Sequence, residues 1–240
     1  VSLPGVVFLA AFTARSQAYA QALHAAGMAP RHVVQFGKDR QAAGAPGLIE
    51  GDQRSVDGIG LPDLGEPLRT TCEKAGWPVT ALEEDHVNDP LITATLQELE
   101  PDLVIYSGYG GQLVAPEVLR AGAPFLHMHA GWLPDFRGST TVYYSWLMEK
   151  RCGVSALLLE PEIDEGPIVG RRHYPLPPSG VDVDQVYDSA IRADLLVRTL
   201  RDYAGSGSFA SITQDDGTGN IFYVIHPVLK HIALLSREND

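Results

Sequence analysis

Short apolar runs punctuate the chain, and each is followed by a segment whose apolar residues return at helical spacing. Gly5–Ala11 (GVVFLAA) is apolar throughout, a pattern that predicts a strand buried on both faces. Ser16–Ala26 then reads as a helix closed by Gly27, with Pro30 just beyond. The rhythm continues with strands over His32–Phe36, Pro78–Leu82 and Asp102–Ser107, and helices over Pro67–Ala75 and Asp89–Leu99. Asp102–Ser107 (DLVIYS) has the clearest strand signature, because β-branched and tyrosine side chains suit a pleated, buried surface. A short helix over Pro116–Ala121 leads into a strand over Pro124–Ala130. Such alternation predicts an α/β fold with a doubly wound, mostly parallel sheet.

Further on, Thr140–Glu149 reads as a buried helix whose aromatic residues belong to the core rather than to a stacking platform. Strands are expected over Val154–Leu159 and Arg171–Leu176, and a long amphipathic helix with capping chemistry over Asp182–Tyr203. Gly205–Ser208 reads as a flexible link, Ile221–Ile225 as a last strand and Val228–Leu235 as a terminal helix, with His226 extended before Pro227. Gly37–Gly65 has no steady period and reads as a long loop with one helical turn, a length expected of a lid or excursion. His86 falls in a linker and is expected at the surface. The expected organisation is one α/β domain over residues 1–207, with a strand–helix extension over 208–240 packed on it.

Composition narrows the function classes. At 240 residues the chain can bury a substantial core in a single domain. Apolar residues at 45%, charged residues at 20% and no apolar run of membrane-spanning length predict a soluble protein with no membrane partner. The formal charge of −12 repels polyanions, so nucleic acid is not expected as a partner. Cys72 and Cys152 lie far apart and fit no metal spacing, as expected in a reducing compartment, though the pair is compatible with one disulfide. The start shows no secretory leader pattern and begins at Val1 without methionine, consistent with trimming, and the expected location is cytoplasmic.

Candidate chemistry concentrates in Pro124–Gly138 (PFLHMHAGWLPDFRG). His127 and His129 are two residues apart, so on one strand both leave the same face, and ligands sit at the carboxyl ends of such strands. Gly131, Pro134 and Gly138 let the backbone turn back over that edge. Two imidazoles there point to acid–base or metal chemistry, with bonding to neighbouring carbonyls as the structural alternative. Asp164, 35 residues after His129, is fixed in a turn by Gly166 and Pro167, where a carboxylate can orient an imidazole. The same three side chains would suit a divalent metal, although no metal is expected. Thr13-Ala14-Arg15 sets a hydroxyl and a guanidinium at a helix N-terminus, suited to a substrate carboxylate or phosphate unless Ser16 caps the helix and Arg15 is solvated. Gly108, Gly110 and Gly111 favour close approach of backbone to a ligand, or a sharp turn. No Gly-x-Gly-x-x-Gly follows the first strand, so dinucleotide binding has no support.

Three segments then stand in a telling order: Ser107-Gly108-Tyr109-Gly110-Gly111-Gln112-Leu113; His127-Met128-His129 with Leu133-Pro134 and Arg137-Gly138; and Asp164-Glu165-Gly166-Pro167-Ile168. The chain resembles the 10-formyltetrahydrofolate-dependent formyltransferases, the family of glycinamide ribonucleotide, methionyl-tRNA and sugar-amine formyltransferases. The resemblance covers roughly residues 101–207 and, more loosely, the first βα unit. It implies a Rossmann-like sheet of the formyltransferase type, with 10-formyltetrahydrofolate as co-substrate. It implies His129 as general base or acid for the acceptor amine and Asp164 as the group that holds its tautomer, help worth about 10²- to 10⁴-fold. His127 stands where the family has an asparagine that steadies the reacting oxygen, a donor whose loss costs about 3 kcal/mol. An imidazole N–H can donate there too, and with charge if protonated.

Folate contacts are implied for Tyr109, Gly110, Gly111, Leu113, Ile163 and Gly166, with the two adjacent glycines widening or loosening the pocket. Acceptor contacts are implied for Thr13, Arg15 and Arg137, unless Arg137 pins its own loop. The expected reaction is formyl transfer to the amine of a small molecule. Glycinamide ribonucleotide is disfavoured because Thr13-Ala14-Arg15 does not resemble that enzyme's phosphate loop. A tRNA acceptor is disfavoured by charge and by the lack of room for a further C-terminal domain. A formyltetrahydrofolate hydrolase, a non-catalytic folate or metabolite binder and a metal-dependent protein on the same fold are the alternatives, and a homodimer is compatible with the sequence.

Overall fold

The computed structural model describes residues 1–38, 55–120, 122–215 and 218–236. The first unit is β1 (Ser2–Ala11), α1 (Ala14–Ala25) and β2 (Ala29–Phe36). Of the expected 37–65 loop, residues 39–54 lie outside the described residues. The rest departs from a loop: β3 (Ser55–Val56) and β4 (Ile59–Gly60) form a small hairpin that tucks Val56 and Ile59 into the core. Then come α2 (Leu68–Ala75), ended by left-handed Gly76, β5 (Val79–Leu82), α3 (Pro90–Leu99), capped by the Asp89 side chain, and β6 (Leu103–Ser107). His86 is exposed in the linker before α3. α4 (Pro116–Leu119) and β7 (Phe125–His129) follow; Ala121, expected in that helix, lies outside the described residues.

The second half contains β8 (Phe136–Gly138), α5 (Thr141–Glu149), β9 (Cys152–Leu158), β10 (Ile168–Tyr174), α6 (Asp188–Ser206), β11 (Asn220–Phe222) and α7 (Pro227–Leu235). The long helix opens with a single π turn over Val183–Tyr187, capped by the Asp182 side chain accepting from Gln185 N. Gly205 does not belong to a link: α6 runs through it, and Gly207 ends the helix at φ 73°. The expected strand over 221–225 is shorter, and it pairs in parallel with β8 outside the main sheet. His226 is extended, and its ring caps α7 by accepting from Val228 N.

The main sheet has the order β10-β9-β7-β6-β1-β2-β5; its pairs are parallel except the two made by β9, which runs against β7 and β10. Chain direction across the sheet reverses between β1 and β6, and the carboxyl edge at such a switch is where open α/β sheets bind ligands. Side chains alternate along each strand: Val6, Phe8 and Ala10 pack with α1 and α6, whereas Val7, Leu9 and Ala11 join Val104, Phe125 and Ile92 of α3 on the other face. α7 packs on α5, burying Ala233. Cys72 and Cys152 are both buried free thiols. Among the described residues, no helix is long and apolar enough to cross a membrane.

Candidate active site

Leu126, Met128 and Ala130 enter the core with α1 and α6, so His127 and His129 occupy the opposite face of β7. Leu159 N donates to Phe125 O at 2.8 Å, which lays the chain leaving β9 against β7. The following turn runs back along the histidine face and brings Asp164 Oδ1 to 3.4 Å from His129 Nδ1. Asp164 adopts φ 57°, a left-handed conformation that aspartate and asparagine tolerate better than most residues. Its Oδ2 accepts from Gly138 N at 2.8 Å, and Gln214 Nε2 donates to the carbonyls of Asp164 and Gly166 at 2.8 and 2.7 Å. A Cβ at Gly166 would lie 1.8 Å from Leu158 O, so the turn can sit here only because residue 166 is glycine.

His129 is buried, with Nε2 at 2.7 Å from Phe136 O. A carbonyl only accepts, which assigns Nε2 a proton and leaves Nδ1, beside the carboxylate, as the nitrogen that gains or loses one. The Thr141 hydroxyl donates to Ala130 O and stands 3.4 Å from the same Nε2. A Cβ at Gly131 would come within 2.5 Å of that nitrogen, so the turn after β7 closes tightly on the ring.

His127 differs. Its Nδ1 is buried with no partner among the described residues, and its ring lies 6.0 Å from that of Tyr106. Burial, reinforced by the Arg15 and Arg192 guanidiniums, holds its pKa well below 6.5. The ring is therefore neutral near pH 7, and any bond it donates is a neutral one.

The implied acceptor contacts fall in different places. Thr13 Oγ1 caps α1 by accepting from Ser16 N, and Thr13 also lines a cavity of ≈ 600 Å³ with Gln17, Gln35 and Thr70. Ser16 bonds instead to Ser107 O and Oγ. Arg15 is not solvated: Nε donates to Ser107 Oγ at 3.2 Å and Nη2 to Gly108 O. Arg137 is buried, with its guanidinium bonded to Glu165 and Thr218 O, so it braces the Asp164 turn. Sequence reasoning passed over Arg192, Gln214 and Thr141, none of which lies in a recognisable motif.

The implied folate contacts sit on the loop after β6 and on the Asp164 turn, either side of β7. Tyr109 packs edge-on to Phe36 at 5.7 Å. Cβ atoms built on Gly110 and Gly111 would meet nothing within 4 Å among the described residues, and Gly111 has φ +81°. Gln112 and Asn88 staple this loop, through Asp85 O and Val87 N and through Leu113 O and Ala115 N respectively.

A family profile described as formyl transferase matches residues 31–195, a range that takes in both histidines and Asp164. The chain belongs to the formyl transferase family. Among its relatives, the methionyl-tRNA formyltransferase of Roseiflexus castenholzii is 30% identical over 186 residues, covering 76% of this chain and 55% of that protein. That of Chloroflexus aurantiacus is 34% identical over 141 residues, covering 58% and 44%. The chain thus spans about half the length of these curated relatives. In fold it is similar to a sugar N-formyltransferase from Shewanella, with 16% identity, TM-score 0.58 and coverage of 97% of this chain and 87% of that one. It is also similar to glycinamide ribonucleotide transformylase 1 from Symbiobacterium toebii, with 18% identity, TM-score 0.57 and coverage of 88% and 93%. The sheet is the Rossmann-like sheet of the formyltransferase type. Formyl transferases use formyltetrahydrofolate as co-substrate, and the residues present fit it: exposed apolar Leu113 and Ile163 on the flanking loops and, among the described residues, open space over Gly110 and Gly111 and no partner for His127 Nδ1.

Proposed function

We propose that this chain transfers a formyl group from 10-formyltetrahydrofolate to the amine of a small molecule. The co-substrate supplies the formyl carbon. In the net reaction the acceptor nitrogen bonds to that carbon and gives up a proton, the bond from the carbon to the folate nitrogen breaks, and that nitrogen takes a proton. His129 moves the proton at Nδ1, with Nε2 tied to Phe136 O and Asp164 countering the charge of the doubly protonated ring. His127, as a neutral imidazole, donates to the formyl oxygen as charge grows on it. Arg137 and Gln214 act through the Asp164 turn, Thr13 and Arg15 face the acceptor side, and Tyr109, Gly110, Gly111, Leu113, Ile163 and Gly166 bound the folate.

The observation that carries this reading is His129 fixed between Phe136 O and Asp164, a carboxylate brought in from a separate turn. The relatives' name points to a tRNA acceptor, whereas the net charge of −12 favours a small amine in the cytoplasm without nucleic acid. The test is tetrahydrofolate release from 10-formyltetrahydrofolate with and without a panel of primary amines. Amine-dependent release lost about 10²- to 10⁴-fold in His129→Ala is expected. Release without amine would make the protein a hydrolase, and absence of release under every condition would leave only binding.

A further inference from the structure

α7 is apolar on both of its faces. On the inner side Ala233 is buried as the helix packs on α5, and Lys230 bonds Asp184 with its ammonium 5.2 Å from the centre of the Tyr143 ring. On the outer side Val228, Ile232 and Leu235 are spaced by four and three, with Leu229 beside them, and all four are between 42% and 59% exposed. The turn before the helix adds Tyr223 and Val224, at 79% and 74%. Seven of the thirteen large apolar residues exposed among the described residues thus fall between Ile221 and Leu235. A helix apolar on both sides is ordinarily covered on both.

Charge, area and spacing point to a second copy of this chain as the cover. From Gly219 to Leu235 there is no acidic residue and one lysine, already paired with Asp184, in a chain with 30 acids and a net charge of −12. Two such chains repel over most of their surface, and this face lets them meet without burying like charges. A polyanion or an anionic membrane would need a basic fringe that the segment lacks. The seven residues together expose on the order of 800 Å², more than a monomer normally leaves in one patch and about what a standard interface takes from each partner. The spacing by four and three is the seam by which helices pair, and a two-fold axis sets this stripe against itself.

We propose that α7 and the turn before it form the interface of a two-fold symmetric dimer, and that this assembly steadies the carbonyl that fixes His129. The strap leading into α7 is bound to β8 and the residues after it. Ser139 N donates to Phe222 O at 2.8 Å, Ile225 N donates to Thr140 Oγ1 at 2.8 Å, and the Phe222 ring stacks on Phe136 at 5.4 Å. Phe136 O is in turn the acceptor of His129 Nε2. A second copy on the outer face of α7 holds the strap down, and the strap holds β8 where His129 needs it. The interface stands without the formyl-transfer reading; only its effect on turnover rests on it.

The test is sedimentation velocity of the protein from about 1 to 100 µM, with the thermal midpoint followed over the same range. The expected result is a species of twice the chain mass whose share rises with concentration, together with a rising midpoint. Ile232→Glu and Val228→Asp should weaken association at least about tenfold, while Leu91→Glu, at an exposed apolar residue of α3, should leave it as in the wild type. A monomer at every concentration, open-ended oligomers, or a dimer that survives both α7 variants overturns the interface. Should either variant fail to fold, Leu229→Ser, a milder change on the same face, decides. In the tetrahydrofolate-release assay, turnover per chain should rise with the dimer share and kcat should fall in Ile232→Glu. Turnover indifferent to both overturns the link to His129. A dimer broken by the α7 variants in a protein without turnover would sink formyl transfer and leave the interface standing.

Discussion

Replacing His127 with asparagine, the residue of the resembled family, should make folding less sensitive to acid. Burial and the two nearby guanidiniums hold the pKa of this ring well below 6.5, so the folded chain keeps it neutral where the unfolded chain protonates it. Below pH 6.5 the unfolded state binds a proton that the folded state refuses, and stability falls as pH falls; above it both rings are neutral and the contribution vanishes. While the folded ring stays neutral, the cost approaches about 1.4 kcal/mol per pH unit and amounts to about 2 kcal/mol at pH 5. For a chain of this size that is about 4–8 °C in Tm. Urea unfolding of the wild type and His127→Asn from pH 7.5 to 5 should show the two stability curves shifting relative to each other by this amount, with the variant gaining on the acid side. His32 and His173 also have lowered pKa values from burial, but they are present in both proteins and cancel in the difference. Parallel curves, or a His127 proton resonance that titrates near 6.5, would refute the reasoning.

Four further substitutions probe the Asp164 turn and the folate loop. Asp164→Asn keeps the left-handed backbone and an oxygen for Gly138 N but removes the charge, so stability should change by less than about 1 kcal/mol while kcat falls about 10²-fold. Gly166→Ala drives a Cβ into Leu158 O and should cost more than about 2 kcal/mol in denaturant titration as well as activity; an alanine variant of wild-type stability would show that the turn does not need glycine. Arg137→Met strands Glu165 and Thr218 O, at a cost of about 1–3 kcal/mol, and should lower kcat with little change in the amine KM, whereas an arginine touching the acceptor would raise KM. Gly110→Ala meets nothing within 4 Å and should leave stability within about 0.5 kcal/mol while altering folate affinity by titration calorimetry.

The central parallel strands β1, β6 and β7 were legible because each carries a short run buried on two faces, and such runs leave few other structures open to them. Asp164 was legible as a turn residue because Gly166 and Pro167 follow it, and its approach to His129 was carried by resemblance. What escaped the sequence depends on contacts made only after folding. β8 and β11 are three residues each, are paired across 84 positions of sequence, and meet at Gly138, whose Cβ would strike Phe222 O. Gly205 reads as a breaker, yet α6 carries it through an exposed last turn beyond Leu200, its last buried residue, before Gly207 N closes the helix on Tyr203 O. Thr13 rather than Ser16 caps α1, since Ser16 finds Ser107 on a neighbouring strand. Arg192 looks like an ordinary polar position of an amphipathic helix, and only the packing of α6 on α1 turns it toward Met128 O and the site.

The most direct test of formyl transfer at this site is calorimetric titration of the protein with 5-formyltetrahydrofolate, a stable stand-in carrying the same pterin and a formyl group. Saturable binding near one equivalent, weakened in Gly110 variants and retained in His129→Ala, is the predicted result. Absence of binding at high ligand concentration would contradict the account, because the open space over Gly110 and Gly111 would then serve something other than folate.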